Sequence, residues 1–126
     1  MKISISSFQA IAASFILGLF EVRTVVHVWH LRSKTKAQHD TFKEFYEALV
    51  DLTDRFAESA IGQFGDLDWP DHSAMFNINS DPEQLLKDLA DILQNTIANI
   101  PQEDLKNILT EMLELTTATS YKLTMK

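Results

Sequence analysis

Three of the chain's four histidines, His27, His30 and His39, fall within thirteen residues, and two acids, Asp54 and Glu58, follow one helical turn apart. Imidazole together with carboxylate is a donor set for Fe(II), Zn(II) or Mn(II), and residue types alone do not separate these ions. The sequence has no cysteine, so thiolate sites, disulfides and a cysteine nucleophile are excluded. Metal binding is therefore the chemistry these five residues point to. For any one histidine taken alone, the simpler expectation is a partly buried ring bonded to a carbonyl or an acid. For the acids it is a solvated helix face on which Asp51, Asp54, Arg55 and Glu58 form local ion pairs.

The residues need two long helices to position them. If Arg32 to Lys36 is a tight turn, His27 and His39 lie equally far from Ser33 and face each other across an antiparallel hairpin, with His30 one turn from His27. Asp54 is fifteen residues beyond His39, roughly 22 Å along a helix that rises ~1.5 Å per residue. One ion cannot bridge that gap within one chain. A second copy packed antiparallel would bring Asp54 and Glu58 of one subunit beside His27 and His39 of the other, and a two-fold axis makes two such sites.

The intervals of twelve residues from His27 to His39, fifteen to Asp54 and four to Glu58, with Ala57 before the second acid, resemble the ferroxidase spacing of the Dps-like ferritins, the starvation-induced, DNA-protecting branch. The chain is also similar to small ferritin-like proteins common in bacteriophage genomes, through His27, His30 and His39 and through a closing Tyr121-x-Leu123. Residues 20–62 carry the resemblance, and the remainder matches only as helical pattern. It implies an all-α, ferritin-like four-helix bundle of two antiparallel hairpins joined by a long crossover. It also implies two Fe(II) ions held between subunits by His27, His39, Asp54 and Glu58, oxidised by peroxide or dioxygen and mineralised inside a shell. His30 would be an added ligand or would replace His27. Iron is the metal implied, with zinc and manganese as alternatives, and the location is cytoplasmic or within a phage particle.

Several features depart from that pattern. Trp29 precedes His30 rather than following His27, the chain is short, and no basic tail is present. The Glu-x-x-His pairs of ordinary di-iron bundles are missing, since Thr24 stands three residues after Glu21 and Glu114 three after Glu111. The net charge of −7 opposes contact with a phosphate backbone, so DNA binding is not expected. Arg32, Lys34 and Lys36 form one small basic knot, read as a solvated tip. His72, near Asp68 and Asp71, is read as part of a solvated loop.

The 126 residues suit one domain, and a 45% apolar content suffices for a packed core. Three glycines and three prolines favour long helices over a turn-rich β fold. Helices are expected over about 7–32, 35–62, 81–98 and 101–122. Their caps are Ser6 or Ser7, Ser33 or Thr35, and Ser80 or Asp81, with Gly62 and Gly65 able to end the second. Expected inward residues are Phe8, Ala12, Phe15, Leu19, Val22 and Val26 in the first helix, and Phe42, Phe45, Leu49, Leu52 and Phe56 in the second. Leu85, Leu89, Ile92 and Thr96 follow in the third, and Leu105, Ile108, Met112, Leu115 and Thr119 in the fourth. Residues 65–80 must then cross from one end to the other, pinned by Trp69, Phe76 and Ile78.

The first helix is apolar on most sides, which predicts contact with a second subunit, so at least a dimer through helices one and two is expected. Its start lacks a small-x-small cleavage site, so no cleaved signal is expected, and the run reads as too short to span a membrane. A second reading from another class is a structural or interaction component of a larger phage assembly, with a vestigial metal site.

Overall fold

A computed structural model describes residues 4–71 and 77–125, and the expectations for His72 and Phe76 lie outside them. The described residues form four α-helices and no strand: α1, Ile5–Arg32; α2, Lys36–Phe64; α3, Pro82–Asn99; and α4, Glu103–Leu123.

Each start follows from local chemistry. The Ser4 hydroxyl caps α1 by accepting from the Ser7 amide, so the cap is Ser4 rather than the expected Ser6 or Ser7. Thr35 caps α2 through the Gln38 amide, and Asp81 caps α3 through the Gln84 amide with Pro82 in the first turn. Gly65, at φ 81°, ends α2 in the left-handed region, whereas Gly62 stays helical. Pro101 and Gln102 lie before α4, which starts at Glu103 with no side-chain cap.

Helix α2 is the element shared by both halves. It packs on α1 and on α4, and α4 packs on α3. Glu44 pairs with Lys122, Arg55 with Glu111, and Asp104 accepts from Ser59 and Gln63, so α2 and α4 run antiparallel along their length. Arg55 thus reaches across to α4 rather than pairing with the acids on its own helix. The core centres on Phe45, Leu49 and Phe56 of α2, packed with Ile16, Leu19 and Val22 of α1 and with Leu85, Leu89, Leu93, Leu105, Leu109 and Met112. Expected inward positions Leu52, Ile92, Thr96 and Leu115 are only partly buried, while Leu86, Leu93, Leu109 and Thr116 take deeper places.

The described ends of the crossover meet opposite ends of α1. At its start the Gln9 side-chain amide donates to the Phe64 carbonyl and the Asp68 amide donates to the Gln9 carbonyl, and at its end the Trp29 indole donates to the Ile78 carbonyl at 2.8 Å. Its buried apolar anchor is Leu67, because Trp69 and Ile78 each keep about two fifths of their surface exposed (41% and 43%). At 28 residues, α1 is long and apolar enough to cross a membrane by length and composition, which corrects the expectation that the run is too short. Less than half of its most apolar window is buried inside the fold.

Candidate functional site

The turn Ser33–Thr35 brings the histidines to one end of the α1–α2 hairpin, and the pairing differs from the sequence expectation. His39 meets His30, not His27: the two rings stack with centroids 3.6 Å apart and planes 28° apart. His27 instead stacks on Tyr46, 4.4 Å between centroids and 20° between planes. The physical reason is the position of the turn. With α1 ending at Arg32 and α2 starting at Lys36, its centre is Lys34 rather than Ser33, which moves the position opposite His39 two residues along α1, from His27 to Trp29, and leaves the adjacent His30 as the nearest histidine.

The hydrogen bonds at this end are reciprocal. His30 Nδ1–H donates to the His39 carbonyl at 2.7 Å, and His39 Nδ1–H donates to the His30 carbonyl at 2.9 Å. A carbonyl can only accept, so both rings carry their proton on Nδ1 when neutral and leave Nε2 with a lone pair. The Ser33 amide also donates to the His30 carbonyl, and the Ser33 hydroxyl donates to the Trp29 carbonyl at 2.8 Å. Carbonyls left without a partner in the last turn of α1 are thereby satisfied. His30 is buried, His27 half-buried and His39 exposed.

Tyr46 and Arg23 complete the cluster. Tyr46 is buried, and the Arg23 guanidinium carbon lies 5.5 Å from its ring centroid, within cation–π range. Neither residue was among those picked from the sequence. Tyr46 follows His39 by seven residues and Arg23 precedes His27 by four, so helical spacing places each on a histidine's own stripe.

Asp54 and Glu58 are exposed on α2. At 100° per residue, Asp54 lies about 60° around the helix from His39 and Glu58 about 40° further. Asp54 projects from the flank that carries His39 and Tyr46, whereas Glu58 lies between that flank and the side of Arg55 and Ser59, which face α4. Beside that flank, Phe20 and Leu31 stand seven before and four after His27 and are 41% and 70% exposed, and Ile61 of α2 is 37% exposed. The outer lip of the α1–α2 seam therefore combines apolar side chains with two carboxylates that have no partner among the described residues.

Within one chain these donors do not converge. Among the described residues no group of three or more His, Asp or Glu side chains is close enough to hold a metal ion. The stacked pair is itself a poor chelate, because an imidazole lone pair lies in the ring plane and an ion on one ring sits off the plane of the other. The arrangement provides a polar hairpin clasp, and a separate acidic strip farther along α2.

No curated protein and no solved structure matches the chain. A family model described as a family of unknown function (DUF5856) matches residues 30–123, from His30 through α2, α3 and α4. The match covers well over half of the sequence, and the chain belongs to that family.

Proposed function

We propose that the chain is a ferritin-like four-helix bundle that self-associates through α1 and α2 and holds iron, or a similar divalent ion, between two copies. The observation that carries this reading is the outer lip of the α1–α2 seam, where Phe20 and Ile61 are exposed, Leu31 is exposed at the histidine end, and the carboxylates of Asp54 and Glu58 stand farther along α2 with no partner among the described residues. A second copy packed antiparallel would cover the apolar side chains. It would also set the acids against the His27 and His39 end of its partner, with His30 behind them. Burying a carboxylate without a cation is costly, so a metal ion suits that interface. Oxidation of Fe(II) by peroxide or dioxygen is the activity that goes with such a site.

Two measurements test the proposal on purified protein: mass by light scattering, and bound metal with Fe(II) oxidation followed by absorbance. The expected result is a dimer or larger assembly that binds and oxidises iron, with both properties lost in Asp54→Ala, Glu58→Ala. A monomer, or metal uptake indifferent to that double variant, would overturn it.

A second reading, a structural component of a larger phage assembly, is favoured by the histidine clasp. His30 and His39 already spend one nitrogen each on the backbone and hold the hairpin closed without a metal. It predicts an assembled but metal-free protein.

A further inference from the structure

Helix α2 separates its uncommitted charges along its length. Lys36 is paired with Asp40, Glu44 with Lys122 and Arg55 with Glu111, which leaves Lys43 as the one lysine or arginine of the helix with no acid partner among the described residues. The acids of α2 left without a partner are Glu47, Asp51, Asp54 and Glu58, and all of them follow Lys43. Glu47 is four residues on from Lys43, but a lysine placed before the acid is the weaker order for a pair on one helix, and the two do not meet. These five side chains are exposed and, at 100° per residue, lie within about 80° of arc on the side opposite Leu49 and Phe56. Lys43 shares one line along α2 with the exposed Ile61, so the stripe borders the apolar lip of the α1–α2 seam.

A second copy packed antiparallel on α2 reverses the order of charges and sets each Lys43 over the acidic half of the other. Two midpoints agree on the register. Halfway between Lys43 and Asp51 lies Glu47, and halfway between His39 and Asp54 lies the Tyr46–Glu47 peptide bond. A two-fold axis at that place faces Lys43 with the partner's Asp51 and His39 with the partner's Asp54 in one arrangement. Glu47 of both copies then lies at the axis, where two carboxylates repel, and the flanking lysines are the charges that offset them. We infer, on the basis of the self-association proposed above, that Lys43 of each copy pairs with the partner's Asp51 and that these two reciprocal ion pairs fix the register of the α2 contact. Such pairs add little affinity singly, but a shifted register sets acid against acid.

Sedimentation equilibrium over a dilution series gives the dissociation constant of the dimer. Lys43→Glu and Asp51→Lys, taken singly, should each weaken association by about tenfold or more, because each places like charges at both contacts. The two together in one chain exchange the signs at both contacts and should restore the constant to within about threefold of wild type. Raising the salt should weaken the wild type more than Lys43→Gln, Asp51→Asn. Both positions are exposed, and an unchanged circular dichroism spectrum shows that the fold survives. A wild type that dimerises with a constant indifferent to either reversal, or single losses that the double variant does not restore, would overturn the pairing and leave the self-association standing. A wild type that stays monomeric would overturn both.

Discussion

Two connections of equal length reverse the chain by different means. Ser33–Thr35, between α1 and α2, is closed by polar groups: the His30 and His39 exchange, the Ser33 bonds to the end of α1, and the Thr35 cap of α2. Ile100–Gln102, between α3 and α4, has no side-chain cap on α4, and its Ile100 is 6% exposed within the core. Directional bonds demand particular residue types at fixed places, whereas an apolar plug demands only volume. The first turn is therefore the more informative about function, because its residues carry chemistry beyond closing a hairpin.

The sharpest way to break this contrast is to truncate each lock. Ile100→Ala should lower the unfolding free energy by about 2–4 kcal/mol through lost burial and a residual cavity. His30→Ala should cost about 1–3 kcal/mol, by removing the buried ring that stacks on His39 and the bond its Nδ1–H gives the His39 carbonyl. Chemical denaturation of both variants checks the order, and a larger loss from His30→Ala would mean that the polar clasp is the stronger lock.

A smaller effect sharpens the contrast at the caps. Gln102→Asp supplies α4 with the side-chain acceptor that it lacks and should stabilise by about 0.5–1 kcal/mol, whereas Thr35→Ala should remove about 1 kcal/mol from α2. Equal and negligible shifts in thermal midpoint would show that neither start is limited by its cap. The smallest effect belongs to the exposed Lys36–Asp40 pair, 2.8 Å apart just after the first turn. The lysine holds the Asp40 carboxyl below its ordinary range, and the carboxylate raises the lysine. The pair's contribution is thus present above the ordinary carboxylate range and lost as pH falls through the lowered Asp40 value. At the alkaline end it is lost as pH rises through the raised lysine value. Nuclear magnetic resonance titration of the Asp40 carboxyl should show the depressed midpoint in low salt and its relaxation toward normal in high salt or in Lys36→Gln.

Much of the frame was legible from periodicity and punctuation. Steps of three and four located the inner faces, and Pro82, Gly65 and Pro101 marked where helices change. What sequence could not settle was fine register. Moving the centre of one turn by a single residue shifts the position opposite His39 by two, from His27 to Trp29, and makes the adjacent His30 its partner. The burial of Leu86, Leu93 and Leu109 was equally hidden, because α3 and α4 carry apolar residues on more than one stripe and packing alone chooses among them. The exposure of Asp54 and Glu58 follows from their place on α2, but one chain gives no sight of a partner's side chains.

The crossover along α1 also bears on the order of folding. His30 and His39 are nine residues apart in sequence, so the first hairpin closes through a short loop, and α3 with α4 does the same. The seam joining the halves links residues 41 to 78 positions apart, from Gln63–Asp104 to Glu44–Lys122. Loop-closure entropy makes such distant contacts slow to form, so the topology favours two early local hairpins and a late docking step along α2. Until that step is complete, the faces of α2 and α4 that meet in the native fold are open to the wrong partner.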